Sequence, residues 1–521
     1  MLARIRLAEE WLLGPEAPRT HLLPRWIFLR SLGVIYFSAF YSLIFQIKGM
    51  IGPNGILPAT GYLSDVANYY PSLQRFWFAP TLLWFGAGNH ALMLITWIGL
   101  IASLAVVFNL WPRLSLTVCL VCFLSFVTAA QDFSGFQSDG MLLEAGFISL
   151  FFAPPGLWPG IGTTHAPSRL SLFLLRWEWF RIYFESGVVK LTSGDYSWRH
   201  FTAMDDYYQN GPLPTWIGWY VQQLPHWFHA ATAFMTLAAE LGLVWMLFLP
   251  RRFKIICFLI VTPFQIGIIL TANYTFLNYL VLVLGFLLLD DGFVRSLLPQ
   301  RWKNWSRQVS TVLSDTASPS RSAAWLQPVW RGVAAIYLGW IFYATTALLF
   351  AMIPYAPPLP LDPARALDPF RIANQYGLFA NMTHERYEIE FQGSTDGQKW
   401  IPYPFRYKPQ DIHKAPGIYA PYQPRFEWDL WFASLGNWRN YPLVVQTEAR
   451  LLSNEPDVLT LFAGNPFSSA PPQKVRAVIW QYWFTDRATK RRDEAWWRRE
   501  LLGVHAPMVE RTPEGKIVLS Q

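Results

Sequence analysis

The sequence contains little cysteine and little charge. Only 3 of its 521 residues are cysteine and only 15% are charged, whereas 53% are hydrophobic. So few cysteines exclude a scaffold that depends on several disulfides, and the low charged fraction is unlike that of soluble globular proteins. Aromatic residues reach 17% and include 27 tryptophans, which suits the interfacial belts of membrane proteins. The composition therefore predicts an integral membrane protein in contact with lipids.

The placement of cysteine and of basic residues excludes two further classes. Cys119 and Cys122 form a C-x-x-C motif inside an apolar run, and Cys257 lies inside another. A redox pair needs an exposed, electropositive setting, so we expect all three to face lipid or the core. The net charge is +8, but the basic residues lie in short connections rather than in one patch, so no nucleic-acid partner is predicted. No motif indicates a metal or a cofactor, and neither is predicted.

Apolar runs divide the chain into a membrane part and a tail. Each run has the length of a bilayer-spanning helix or is slightly shorter. They lie at 26–45, 89–110, 114–131, 141–153, 170–190, 227–249, 254–271, 275–289 and 332–353. The run at 141–153 is the shortest and is also compatible with a re-entrant or core helix.

The distribution of lysine and arginine predicts the orientation. If the N-terminus is cytoplasmic, the connections on that side carry nearly all the basic residues, and the opposite connections carry only Lys48, Arg75 and Arg199. Such a bias is typical of cytoplasmic loops. It favours about nine spans and places the tail on the exoplasmic side.

We therefore predict a multi-pass α-helical membrane protein with a C-terminal exoplasmic domain. The parts are a cytoplasmic N-terminal segment (1–25), a transmembrane helical domain (26–353) with a basic cytoplasmic loop (290–330), a Pro-rich linker (354–370) and an exoplasmic β-rich domain (371–521). The prolines leave the linker too few backbone donors for a helix.

The tail has the pattern of a water-soluble domain. Apolar and polar residues alternate over 387–392, and 474–484 is a second strand region. The segments 426–435 and 456–463 have a helical pattern. These elements predict a β-sandwich-like α+β domain, which contains no cysteine.

The run at 170–190 carries charges that are costly in a bilayer. One charge at the bilayer centre costs about 2.5–3.5 kcal/mol, so some of these side chains must face a protein interior. Glu178, Arg181 and Glu185 fall within about 60° of one another on a helix, and Arg181 and Glu185 are i,i+4 neighbours. We expect an intramembrane polar cluster with these members: Glu144, Arg176, Glu178, Arg181, Glu185 and Glu240. Arg176 and Arg181 are alternative partners for Glu144.

Lys190 near the end of the same run has two interpretations. Its side chain can extend to the membrane interface, or it can lie in a semi-dry pocket and act as a catalytic base. Asp139 is expected to cap the helix that follows it. Asn381-Met382-Thr383 is a candidate glycosylation site if the source is eukaryotic.

The chain resembles the lipase maturation factor family over nearly its whole length. The matching stretches are Gly52–Pro58, Gly135–Glu144, Phe184–Leu191, Pro212–Trp216, Tyr376–Met382, Pro421–Arg425 and Trp428–Ala433. The resemblance implies a multi-pass protein of the endoplasmic reticulum membrane with a lumenal tail, which acts as a chaperone in the folding, assembly or maturation of secreted lipases. The chain also resembles bacterial members, for which the tail would be periplasmic and the protein would lie in the inner membrane.

This resemblance leads to two hypotheses. In the first, a non-enzymatic maturation factor binds secreted client proteins, possibly lipases, through Tyr422, Arg425, Trp428 and Trp431. The second rests on a more distant similarity of Ser186–Leu191 to vitamin K-dependent carboxylases, which implies an intramembrane enzyme acting on a lipid- or quinone-like substrate with Lys190 as base.

Overall fold

The structure is a computed structural model that describes residues 21–163, 165–300, 326–512 and 516–520, with the side chains of 326–331 left out. Most of the predicted cytoplasmic segment 1–25 lies outside the described residues. The same is true of the 301–325 part of the predicted loop 290–330.

A helix forms at each apolar run. Within the described residues these helices are α1 (Leu22–Ile44), α2 (Asn89–Val107), α3 (Pro112–Ala129), α4 (Gln137–Phe152), α5 (Arg169–Thr192), α6 (His226–Leu241), α7 (Arg251–Thr271), α8 (Leu277–Gly285) and α9 (Leu326–Met352). The 3-10 turns Leu243–Phe248 and Phe286–Leu288 extend α6 and α8. Long apolar runs without water to bond their backbone form helices, because a helix satisfies its own donors and acceptors.

Length and composition support a multi-pass membrane protein but not the full count of nine spans. Six helices in the described part are long and apolar enough to cross a membrane. A seventh crossing results if Leu277–Leu288 and Asp291–Leu297, which are bent by 109°, count as one broken span. α4 has only 16 residues and α5 carries several charges.

Two contacts at one end of the bundle show which helix starts lie beside which helix ends. At the start of α1, the amide of Leu23 donates to Asp291 Oδ1 at 2.7 Å, just beyond α8. At the start of α3, Arg113 Nε donates to the carbonyl of Ala153 at 2.8 Å, at the end of α4. The start of α1 therefore lies beside the end of α8, and the start of α3 lies beside the end of α4.

Short helices connect the long ones and lead into the tail. They are Ile47–Ile51, Ala59–Tyr69, Gln74–Phe78, Ala203–Asn210 and Trp216–Gln222. The predicted linker 354–370 contains the helical turns Asp362–Arg365 and Asp368–Phe370, so the expectation of no helix there is wrong. Each turn has its proline in the first positions, where no backbone donor is needed.

The tail contains one antiparallel sheet. Its strands are β1 (Arg386–Ser394), β2 (Ile401–Pro402), β3 (Lys474–Phe484), β4 (Trp497–Val504), β5 (Met508–Arg511) and β6 (Ile517–Ser520). The order is β2-β1-β3-β5-β6, and β4 also pairs with β3. Helices α10 (Arg425–Ser434) and α11 (Leu443–Leu452) pack against β1 and β3; shorter helices are Pro456–Leu459 and Arg487–Asp493.

The predicted sandwich is therefore corrected to a single sheet covered by helices in the described part of the tail. Period-two alternation indicates that one face of a strand is buried. It does not indicate whether a second sheet or a helix covers that face. Here Val444 and Leu451 of α11 share one buried core with Ile389 of β1, and the same core continues into the membrane helices.

Candidate functional site

Arg181 is the centre of a buried ion-pair cluster on α5. Its Nη2 donates to Glu144 Oε1 on α4, and its Nη1 lies 3.7 Å from Glu185 Oε1 one turn away. All three side chains are at most 1% exposed. The structure thus selects Arg181, rather than Arg176, as the partner of Glu144.

The same cluster holds the start of the tail. Glu144 Oε2 accepts from the amide of Asn374 at 3.0 Å and from the hydroxyl of Tyr376 at 2.9 Å. Glu185 Oε2 accepts from the amide of Tyr376 at 2.7 Å, and Arg181 Nη1 donates to the carbonyl of Asn374 at 2.7 Å. The charges on α5 therefore bind backbone that follows the linker.

We call residues 374–384 the docking segment, because it continues along the end of α5. The hydroxyl of Ser193 donates to the carbonyl of Ala380 at 2.8 Å. The amide of Met382 donates to Asp195 Oδ2 at 2.6 Å. A buried segment without regular secondary structure needs partners for its backbone groups. Side chains of α5 and of the residues directly after it supply some of these partners.

Lys190 lies in this contact and is buried rather than extended to the membrane interface. Its Nζ donates to Glu240 Oε1 at 2.8 Å, to Glu240 Oε2 at 2.9 Å and to the carbonyl of Leu378 at 3.0 Å. The ammonium group also lies 5.0 Å from the centroid of the Trp198 ring. Lys190 is 2% exposed, and it borders a cavity of about 280 Å³ between α5, α6, α7 and α8.

The other two predicted cluster members form no hydrogen bond to these residues. Glu178 is fully buried and has no hydrogen-bond partner among the described residues, although it lies close enough to Glu144 and Arg181 to interact with them electrostatically. Arg176 donates through Nε to the carbonyl of Leu287 at 2.8 Å and lies 2.7 Å from His21 Nε2, at the end of the bundle opposite the tail. The six predicted residues thus separate into the Arg181 cluster, the Lys190–Glu240 pair, and these two side chains.

Arg425 forms a second buried link between the tail and the membrane part. Its Nη1 and Nη2 donate to Asp139 Oδ2 and Oδ1 at 2.7 and 2.8 Å, and Nη1 also donates to the carbonyl of Phe133 at 2.8 Å. The capping role predicted for Asp139 is wrong: α4 starts at Gln137 without a side-chain cap. The carboxylate instead binds a guanidinium in the bidentate geometry that favours this pair.

Burial changes the interpretation of the predicted client-binding residues. Arg425 is 0% exposed, Trp428 is 5% exposed and Trp431 is 9% exposed. Trp428 stacks on Phe136 at a centroid distance of 4.9 Å. Arg425 and Trp428 therefore belong to the contact between tail and membrane part, and all three side chains present almost no surface to another protein.

Tyr422 differs from them because it borders an open cleft. This junction cleft, about 620 Å³ in volume, lies between the end of α1 and the tail. Gln46 Nε2 donates to the Tyr422 hydroxyl at 3.2 Å across its wall. Its lining includes Tyr41, Phe45, Lys48, Arg406 and Tyr422. Tyr41, Phe45 and Arg406 are exposed.

Two further sequence features have a place in the structure. Asn381 of the sequon is exposed, next to the backbone contacts of the docking segment. Cys119, Cys122 and Cys257 are buried and form no disulfide. The described residues contain no group of three side chains suited to a metal ion.

The sequence pattern does not predict the parts played by Asn374, Asp195 and Trp198. The available signal was the stretch Tyr376–Met382, which resembles the family but has no charged side chain. Its contacts with the charged side chains of α5 are made by backbone groups: the amide of Tyr376 donates to Glu185, and the carbonyl of Leu378 accepts from Lys190. Because nearly every residue type has the same backbone groups, contacts made by the backbone cannot be recognised from the residue types.

The family's sequence profiles match both parts of this architecture. The profile described as lipase maturation factor transmembrane domain matches residues 23–296, and the lipase maturation factor C-terminal domain matches residues 372–507. The chain belongs to the lipase maturation factor family. Within this family of maturation factors, the first match contains α1–α8 and the second contains the docking segment, α10 and α11.

Vertebrate lipase maturation factors are similar to the chain along most of its length. Lipase maturation factor 2 of Gallus gallus is 32% identical over 590 residues, covering 95% of this chain and 82% of the relative. Lipase maturation factor 1 of Bos taurus is 29% identical over 507 residues, covering 94% and 90%. Lipase maturation factor 2 of Homo sapiens is 30% identical over 591 residues, covering 94% and 82%. No solved structure matches the chain.

Proposed function

We propose that this protein assists the maturation of secreted client proteins at the membrane surface, and that lipases are among its clients. The names of its relatives support this role. The observation that carries it is the junction cleft, an open space of about 620 Å³ between a membrane-anchored bundle and a tail that is fixed to it by buried bonds. A rigid cleft beside the bilayer suits the capture of incompletely folded chains with exposed apolar segments.

The junction cleft offers two kinds of contact to a client. Tyr41 and Tyr422 provide aromatic surface, and their ring centroids lie 6.3 Å apart. Lys48 and Arg406 place positive charge at its border, and Glu427 and Asp457 also line it. Aromatic side chains with arginine are enriched where proteins bind one another. The predicted client contact is therefore retained at Tyr422 and moved from Arg425, Trp428 and Trp431 to the cleft around it.

We further propose nine membrane crossings with the tail on the exoplasmic side, either in the periplasm or in the lumen of the endoplasmic reticulum. The tail contacts the predicted outer ends of several helices: Gln46 after α1 bonds to the carbonyl of Gln423 at 2.9 Å, and Asn273 after α7 accepts from the amide of Tyr419 at 2.7 Å. The ends of α4 and α8 lie at the opposite end, beside the starts of α3 and α1. This arrangement supports a full crossing of the membrane by both α4 and α8.

The alternative hypothesis, an intramembrane enzyme with Lys190 as base, is not favoured. The relatives carry the names of maturation factors. In addition, the ammonium group of Lys190 donates to two carboxylate oxygens and a carbonyl. A base must present a free lone pair to its substrate, whereas the three donor positions of this amine are already bonded within the protein.

The proposal is tested by producing the chain in cells that lack their own lipase maturation factors, together with a secreted lipase. We expect the parent chain to raise the specific activity of the secreted lipase above that of cells with an empty vector. The variant Arg406→Glu/Tyr422→Ala is expected to lower this gain severalfold, because it reverses a charge and removes an aromatic contact in the cleft.

Tyr355→Ala is the matched control, because Tyr355 is fully exposed and lies outside the cleft. Membrane abundance and thermal unfolding of each variant are measured in parallel. If the parent chain gives no gain, lipases are not clients. If the parent and the cleft variant give the same gain at equal abundance, clients do not use the junction cleft.

A further inference from the structure

The cavity beside Lys190 is a mainly apolar space within the membrane part. Its volume is about 280 Å³, near the lower end of the roughly 300–1,000 Å³ typical of small-molecule sites. Its walls include Ile182, Val281 and Phe264, and the docking segment covers it with Leu378 and Phe379. The size suits one hydrocarbon chain rather than a lipid with two.

The cavity reaches the lipid-facing surface between α6 and α7. Pro263 and Gly267 of α7 both line it and are exposed. Pro263 lies inside the helix, where it removes a backbone hydrogen bond. A Cβ built on Gly267 meets no atom within 4 Å, so no side chain closes the wall there. On the opposite wall α6 contributes Thr232 and Thr236. A molecule can therefore enter sideways from the bilayer.

The charged groups of this cavity cancel. Lys190 and Glu240 are the charged residues among its described lining, and they bind each other at 2.8 and 2.9 Å. The remaining donor of Lys190 goes to the carbonyl of Leu378. A ligand with a net charge would find no counterion that is still available, and burying an unpaired charge is strongly unfavourable.

Tyr183 provides an unused hydrogen-bond donor. It is 3% exposed. Its hydroxyl oxygen accepts from Gln265 Nε2 at 2.6 Å, and Gln265 Oε1 in turn accepts from Asn278 Nδ2 at 2.7 Å. This network fixes the phenol, and with the Gln265 amide in this orientation the phenol's own proton has no acceptor among the described residues. A buried donor without an acceptor is unfavourable, and a ligand oxygen would remove that cost.

From these observations we propose that the cavity binds an uncharged single-chain lipid from the bilayer, whose carbonyl or hydroxyl oxygen accepts the proton of Tyr183. The hydrocarbon chain of the lipid enters between Pro263 and Gly267 of α7 and the facing wall of α6, and it occupies the apolar space. The Lys190–Glu240 pair forms a neutral polar end of the site and takes no part in chemistry. This inference is independent of the proposed role in maturation.

The test uses the purified full-length protein and a monooleoylglycerol that carries a photoreactive diazirine in its acyl chain. We expect labelling of α6 and α7 that excess monooleoylglycerol suppresses and that equal oleate, which is charged, does not. Tyr183→Phe keeps the shape but removes the donor, and it is expected to raise the half-saturating concentration about three- to tenfold. Gly267→Phe fills the entrance and is expected to abolish labelling.

Gly339→Phe is the matched control, because Gly339 on α9 is also exposed and also has no atom within 4 Å of a built Cβ. It should label like the parent. Labelling that monooleoylglycerol does not suppress, or equal labelling of the Gly267→Phe and Gly339→Phe variants, would overturn the site. Equal competition by oleate would overturn the uncharged ligand. If Gly267→Phe fails to fold, as judged by thermal unfolding, an unchanged half-saturation of Tyr183→Phe overturns the proposal.

Discussion

The two buried ion-pair sites on α5 look alike but have different surroundings. Arg181 and Lys190 are both nearly inaccessible, both bind carboxylates of neighbouring helices, and both donate to a carbonyl of the docking segment. Around Arg181 the space is filled by Tyr376, whose ring lies 5.2 Å from the guanidinium carbon. Beside Lys190 a cavity of about 280 Å³ remains.

This difference shows that a buried charge is not by itself a sign of a binding site. Both sites satisfy their charges internally, so charge alone would assign them the same role. The free volume and the unused donor of Tyr183 distinguish the second site. The Arg181 site only attaches the tail to the bundle, whereas the Lys190 site attaches it and also has space for a ligand.

The largest effect is expected at the filled site. Arg181→Ala leaves the carboxylates of Glu144 and Glu185 buried without their cation, and breaking such a pair costs about 3–5 kcal/mol. Thermal unfolding in detergent and membrane abundance should show loss of most of the folded protein. Arg487→Ala removes an exposed arginine and should change the stability by less than about 0.5 kcal/mol. Equal unfolding temperatures for the two variants would refute a stabilising role of the cluster.

A smaller loss of stability is expected at the site beside the cavity, and a second substitution there should restore most of it. Lys190→Met strands the carboxylate of Glu240 and should lower the unfolding temperature, again through the loss of a buried pair. In the double variant Lys190→Met/Glu240→Gln no charge remains, and most of the stability should return. A double-mutant cycle measures this coupling. If the double variant is no more stable than Lys190→Met, the damage does not come from the stranded charge.

A third variant separates the two attachments of the tail. Arg425→Lys keeps the charge but cannot bind Asp139 through two parallel bonds. We expect a loss of about 1.5–3 kcal/mol, typical of hydrogen bonds to charged groups, and faster proteolysis between residues 354 and 370. Arg498→Lys changes an exposed arginine of the tail and serves as the control. Unchanged proteolysis in both would mean that the docking segment alone holds the tail.

The effect most limited in its conditions, because it depends on pH, concerns a buried carboxyl in the tail that has no ion pair among the described residues. Burial raises the pKa of Glu448 from 4.5 to about 9. The folded state therefore favours the protonated form, and its contribution to stability is complete below pH 4.5 and is lost as the pH rises through about 9. Glu448→Gln should unfold a few degrees higher than the parent at pH 8 and at about the same temperature at pH 4. A constant difference across this range would contradict the shifted pKa.

The sequence predicts the helices well and their partners poorly. All apolar runs form helices, and β3 has the predicted bounds of 474–484, because local pattern determines local structure. The i,i+4 spacing predicts the proximity of Arg181 and Glu185. Glu240 is 50 residues from Lys190 in the chain, and no periodicity connects them. The single sheet and the burial of Arg425 depend likewise on how distant segments pack.

The docking segment also imposes an order on synthesis. Tyr376 follows Glu185 by 191 residues, and Asn374 follows Glu144 by 230 residues. At translation rates of about 5–20 residues per second, the carboxylates on α4 and α5 wait on the order of ten to forty seconds for these partners. During that time the bundle lacks the backbone that completes it. The docking segment is thus the last part needed to complete the bundle. A chain that ends before residue 374 would leave the ribosome without the backbone partners of Glu144 and Glu185.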